Sequence, residues 1–144
     1  MHTHQFHKTY LKISAIFVML FGPIFFLGTF PETVEPIRFS MDLSMWPLDS
    51  SQSYEHPETV FLGALAGGFL FGWGVLIWRL SGEVYDAAPE AVRKAVVTGF
   101  LAWFVLDSAG SITSGNASNA LFNVIILALF VGPLWRSAKP EHLE

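Results

Sequence analysis

The residue with the clearest chemical potential in this chain is an acid, Asp107, inside a long apolar stretch. An ionisable group within hydrocarbon costs roughly 2.5–3.5 kcal/mol on insertion scales, so such a residue marks a candidate functional site. Ser111 follows Asp107 by one helical turn, and Asn119 and Asn123 are one turn apart in the next apolar stretch. We therefore predict an inward-facing polar cluster of Asp107, Ser111, Asn119 and Asn123.

Two interpretations of this cluster remain open. The turn between the two stretches centres near Gly115, so Asp107 and Asn123 are expected at a similar depth. A pocket that binds a ligand or handles protons is the functional interpretation. A buried hydrogen-bonded knot that fixes helix register is the structural one. His56 and Arg38 are the basic residues that we predict as outer-side partners of Asp107.

Glycines in the second apolar stretch carry a packing signal. Gly63 and Gly67 are four residues apart, and so are Gly68 and Gly72. Small residues at this spacing let helices approach closely in lipid, where packing drives association. The first interpretation is packing within a helix bundle, and the second is a face for homodimerisation.

The sequence lacks the residues and motifs that other common site chemistries require. With zero cysteines the chain has no disulfide, no thiolate nucleophile and no cysteine-based metal site. There is no His-Glu-x-x-His motif, no nucleophile elbow and no glycine loop for phosphate. The histidines at 2, 4 and 7 are expected in a short polar tail without fixed geometry. We therefore predict no metal, no cofactor and no catalytic set, and the net charge of −4 argues against nucleic acid as a partner.

The elements that must position these residues are membrane helices. Hydrophobic residues make up 52% of the chain and charged residues 14%, against roughly 25% charged in soluble domains. Four apolar runs are each close to the ~20 residues that a helix needs to cross the hydrocarbon core. The predicted spans of this single domain, 1–144, are residues 13–30, 59–80, 92–113 and 117–135. The predicted fold class is thus an all-α membrane protein, a four-transmembrane-helix bundle.

The distribution of basic residues predicts the orientation. Seven of the eight Lys and Arg residues would lie on one side of four crossings, and Arg38 alone would lie in the loop 31–58. By the positive-inside rule the seven-residue side is cytoplasmic. The expected location is a bacterial inner membrane, with both termini in the cytoplasm and the loop 31–58 in the periplasm.

The periplasmic loop is predicted to be partly extended. Ile37, Phe39, Met41, Leu43 and Met45 alternate with polar residues, a pattern typical of a half-buried strand. The competing interpretation is an interfacial helix that places Ile37, Met41 and Met45 on one face.

These observations favour a non-enzymatic accessory or assembly component of unknown biochemical role, in the lipid bilayer as a homodimer or part of a larger membrane complex. The alternative is a small-molecule or ion binding or transport protein that uses the polar cluster around Asp107. The four-span plan resembles that of many small bacterial inner-membrane proteins, DoxX-like families among them. That resemblance is one of architecture and transfers no residue role.

Overall fold

The computed structural model describes residues 3–138, and their regular structure is helical. A 3₁₀ turn, Pro31–Thr33, precedes the second helix, and a π-helical turn, Leu80–Val84, followed by a helical turn, Tyr85–Ala87, joins the third helix to the fourth. The main helices are α1 Thr3–Leu27, α2 Glu35–Ser44, α3 Pro57–Arg79, α4 Pro89–Thr113 and α5 Ala117–Val131. The prediction of an all-helical fold is confirmed for this part of the chain.

Three helices in the described residues are long and apolar enough to cross a membrane: α1, α3 with the turns that follow it, and α4. The fourth predicted span ends as a helix at Val131, so α5 has 15 residues. At 1.5 Å per residue it rises about 22 Å, less than the ~30 Å of the hydrocarbon core. The helix that contains the first predicted span begins at Thr3, ahead of the predicted crossing at residues 13–30.

The helices pack as two antiparallel pairs around a shared apolar core. Helix α1 lies along α3, and α4 lies along α5 after a tight turn in which Gly115 has a positive φ of 86°. Glycine tolerates this left-handed conformation because it has no Cβ. Buried apolar side chains from both pairs, among them Leu11, Ile77 and Phe100, form one cluster.

The chain after α5 returns to the level at which α4 begins. Arg93 Nη1 donates a hydrogen bond to the Leu134 carbonyl at 2.9 Å, and the Ala138 amide donates to Glu90 Oε2 at 2.8 Å. The Tyr10 hydroxyl of α1 donates to the carbonyl of Leu129. The first part of α1, the α3–α4 connection and the segment after α5 therefore share one end of the bundle, which we call the charged end. Helix α2 lies at the opposite end.

The predicted strand in the loop 31–58 is wrong, because residues 35–44 form α2. Burial does not alternate as it would in a half-buried strand: Ile37 is 1% exposed and Asp42 6%, whereas Phe39 is 60% exposed. Pro36 in the first turn favours helix initiation. A lone strand beside lipid would leave backbone groups without hydrogen bonds, while a helix pairs them internally. The competing sequence interpretation, a helix with Ile37, Met41 and Met45 on one face, agrees with the helical structure of this segment and with the burial of Ile37.

The two glycine rows of α3 face different surroundings. A Cβ at Gly67 would lie 2.5 Å from the Phe25 Cβ of α1, and one at Gly63 would overlap Tyr54. A Cβ at Gly68 or Gly72 would meet no atom within 4 Å. The first row lets α1 approach α3 closely, and the second row lies open on the surface of the described structure.

Candidate functional site

A hydrogen-bonded polar cluster joins α4 to α5. Asp107 Oδ2 accepts hydrogen bonds from Asn119 Nδ2 at 3.0 Å and from Asn123 Nδ2 at 2.5 Å. The Asn119 amide also donates to Ser111 Oγ at 2.8 Å, and the Asn123 amide donates to Ser108 Oγ at 3.2 Å. The structure thus brings together the four predicted members of the cluster and adds Ser108.

The donors of this cluster are all used, and the groups without a partner are acceptors. Each side-chain amide nitrogen has two hydrogens, and each makes two hydrogen bonds, so the donors of Asn119 and Asn123 are all in use. A carboxylate can only accept, which orients both amide nitrogens toward Asp107. Among the described residues, Asp107 Oδ1 and the two amide oxygens accept no hydrogen bond. The groups left over are therefore acceptors.

The cluster forms part of the wall of a cavity of about 230 Å³, which we call the Asp107 cavity. Aromatic rings from four helices make most of the remaining wall, in contact with one another. The Phe100 and Phe130 rings stack with centroids 4.6 Å apart, Trp73 lies 4.9 Å from Phe100, and Phe17 meets Phe130 edge-on at 5.3 Å. The site is an apolar, aromatic chamber with one polar side.

A second cavity, of about 440 Å³, lies between α1, α2 and α3 and is called the α2 cavity below. Its wall is largely apolar and includes Ile37, Met41 and Leu62. Three residues line both cavities: Phe21, Phe25 and Ser44. The Ser118 hydroxyl of α5 donates to the Ser44 carbonyl at 2.7 Å and so fastens the end of α2 beside the Asp107 cavity.

His56 and Arg38 do not join the cluster. His56 is exposed at the residue before α3, and none of the cluster's hydrogen bonds includes it. Arg38 instead pairs with Glu35 Oε1 at 2.8 Å and donates to the Gln52 carbonyl at 3.3 Å. Sequence reasoning missed Ser108, although Ser108 and Asn123 are equally far from the Gly115–Asn116 turn, a symmetry that points to their contact.

The predicted polar tail at the N-terminus is wrong for the residues that the structure describes, since His4 and His7 are buried in α1; His2 lies outside them. His4 Nε2 lies 3.1 Å from Asp86 Oδ1, and Lys8 Nζ is 2.6 Å from Asp86 Oδ2. The hydrogen bond from Lys8, followed by that from His4, holds the pKa of the Asp86 carboxyl in the α3–α4 connection below its ordinary value. This ion pair joins α1 to that connection at the charged end. Within residues 3–138 no three His, Asp or Glu side chains are grouped to hold a metal ion.

Comparison with known proteins identifies one curated relative. The chain is 29% identical over 138 residues to the "Uncharacterized membrane protein YabM" of Bacillus subtilis (strain 168). The match covers 94% of this chain and spans 25% of the length of that relative. No protein-family model and no solved structure matches the chain. Together with its long apolar helices, this similarity establishes the chain as a helical membrane protein.

Proposed function

We propose that this chain is a membrane-embedded binding protein for a small molecule with an apolar body and one polar end, held in the Asp107 cavity. The observation that carries the proposal is a carboxylate on the wall of an aromatic chamber. Ligand sites typically combine mostly apolar walls with a few convergent polar groups. The cavity has this composition.

The volume of the cavity supports a ligand rather than a purely structural knot. A knot that only fixes helix register needs its polar groups paired and its surroundings filled. Here the acceptor oxygens have no donor among residues 3–138 and lie beside about 230 Å³ of space. An apolar protein cavity of roughly 150 Å³ is enough to bind benzene. The Asp107 cavity therefore has room for a ligand somewhat larger than benzene.

The proposal includes a membrane orientation, in which the protein crosses a bacterial inner membrane four times with both termini in the cytoplasm. The seven-to-one division of basic residues supports the orientation. The hydrogen bonds of Leu134 and Ala138 beside the start of α4 support a fourth crossing, because they bring the chain after α5 back to the charged end. In this orientation the charged end is cytoplasmic and α2 covers the periplasmic side.

The proposal is tested by placing a larger side chain in the cavity and measuring the binding of a small probe. The probe is neopentylbenzene, a neutral hydrocarbon that carries a branched alkyl group on a benzene ring and represents the apolar body of the ligand. Binding is measured by equilibrium dialysis between protein-loaded and protein-free nanodiscs. Val18 lines the cavity, so Val18→Phe should weaken probe binding at least tenfold. Val105→Phe is the matched control, because Val105 is 61% exposed on the outside of α4 and should bind the probe as the wild type does.

Two outcomes would overturn this proposal. The first is that protein-loaded discs retain no more probe than empty discs. The second is that both variants bind the probe equally. Either result would leave the accessory or assembly component as the better description, with the Asp107 cluster as a knot that fixes the α4–α5 register.

A further inference from the structure

We propose that the Asp107 cavity selects lipophilic cations, that is, molecules with an ammonium group and an apolar body. This inference rests on the proposed binding function and specifies its ligand class. Three features of the described structure support it: the unpaired acceptors, the lack of a counterion and the aromatic wall.

The unpaired acceptors come from the way the amides are used. The side-chain amides of Asn119 and Asn123 have four N–H groups in all. Each of these groups donates a hydrogen bond, to Asp107 or to one of two serines. Among the described residues, the acceptors left without a donor are carboxylate Oδ1 and the two amide oxygens, and the three residues that carry them line the cavity. Such a wall complements a ligand that is positively charged or donates hydrogen bonds, and it repels an anion.

Asp107 has no counterion in the described part of the chain. No Lys, Arg or His lines the cavity, and Asp107 takes part in no ion pair. The basic residues predicted as partners lie elsewhere, since Arg38 pairs with Glu35 and His56 is exposed. A cationic ligand would supply the charge partner that the protein lacks, and charges in membrane interiors are normally paired.

The aromatic wall suits the same ligand. A cation over the face of an aromatic ring gains about 0.5–1 kcal/mol at exposed sites and about 2 or more when desolvated, and quaternary ammonium ligands are recognised by aromatic cages. Trp73, Phe100, Trp103 and Phe130 all line the Asp107 cavity. The adjoining α2 cavity, which shares Phe21 and Phe25, offers an apolar space into which the body of a longer cation can extend.

A pair of isosteric probes isolates the charge. Benzyltrimethylammonium differs from neopentylbenzene by the replacement of one carbon with a positive nitrogen. Both are dialysed against wild-type protein, Asp107→Asn and Glu58→Gln in nanodiscs. Glu58→Gln is the matched control, since it removes one negative charge from an exposed position in the first turn of α3 that lines neither cavity. Pivalophenone, which offers a carbonyl acceptor, is the third probe.

The expected result is that Asp107→Asn weakens binding of the cation at least tenfold more than it weakens binding of the hydrocarbon, while Glu58→Gln affects neither by more than twofold. Equal effects of Asp107→Asn on both probes, or no effect, would overturn cation selection. So would tighter binding of pivalophenone than of the cation, which would assign recognition to the indole N–H groups of Trp73 and Trp103. Retention of the hydrocarbon without the cation would overturn this inference and leave the proposed binding function standing.

Discussion

At the scale of single residues, Asp107 Oδ2 accepts hydrogen bonds from the side-chain amides of Asn119 and Asn123. The spacing of Asp107, Ser111, Asn119 and Asn123 in the sequence predicts their meeting because an antiparallel hairpin reflects positions about its turn. The sequence does not reveal that both amides use all their donors, since that depends on the serine hydroxyls beside them. The sequence also suggests His56 as a partner of Asp107, which the structure does not bear out. A position in a long loop does not determine where the side chain points.

Substitutions at Asp107 should separate the charge from the hydrogen bonds. Asp107→Asn offers a carbonyl oxygen in place of Oδ2, so both amide hydrogen bonds can persist, and the melting temperature in detergent should stay the same or rise slightly because burying a charge is costly. Asp107→Leu leaves the amides of Asn119 and Asn123 without this acceptor, and each unsatisfied buried group costs about 1–3 kcal/mol. Its melting temperature should fall clearly below that of both other proteins. A Leu variant that melts with the wild type would show that these hydrogen bonds contribute nothing to stability.

At the scale of elements, the long apolar runs predict helices, while the helix ends and the helix in the loop 31–58 do not follow from apolar length. Alternating apolar residues suggest a strand over 37–45, but the same residues satisfy a helix once Ile37 packs against the bundle. The start of α1 is not evident from the sequence because His4 and His7 look polar, and His4 is buried against Asp86 and Tyr85 far along the chain. Long-range contacts of this kind leave no local pattern.

The two glycine rows of α3 should respond oppositely to an added methyl group. Gly67→Ala places a Cβ 2.5 Å from the Phe25 Cβ, so α1 must move away and the melting temperature should fall, with overpacking typically costing 1–3 kcal/mol. Gly68→Ala is the matched neighbour, open to its surroundings, where alanine's helix propensity favours the fold by up to about 1 kcal/mol. Differential scanning fluorimetry in detergent compares the two. Equal melting temperatures would contradict the close approach of α1 at Gly67.

At the scale of the whole molecule, the chain is a helical membrane protein that corresponds to a quarter of the length of its curated relative. Three helices in the described residues reach across a bilayer by length, and α5 falls short as a helix. The side of the membrane on which the chain lies after α5 therefore decides between three and four crossings. The sequence predicts four because the apolar run 117–135 continues past the last helical residue, Val131.

Cysteine labelling can decide the number of crossings, because this sequence of 144 residues has no cysteine to remove. Single substitutions are made at four exposed positions, Ser51→Cys, Glu83→Cys, Ser114→Cys and Ser137→Cys. With four crossings, a membrane-impermeant maleimide added to intact spheroplasts should label the cysteines at 51 and 114, and those at 83 and 137 should react only after lysis. The positions at 114 and 137 form the decisive pair because they flank α5. They lie on opposite sides of the membrane if α5 crosses it and on the same side if it does not. Labelling of both from outside would mean that α5 re-enters or lies along the membrane. The charged end would then lie partly outside, against the seven-to-one distribution of basic residues from which the orientation was predicted.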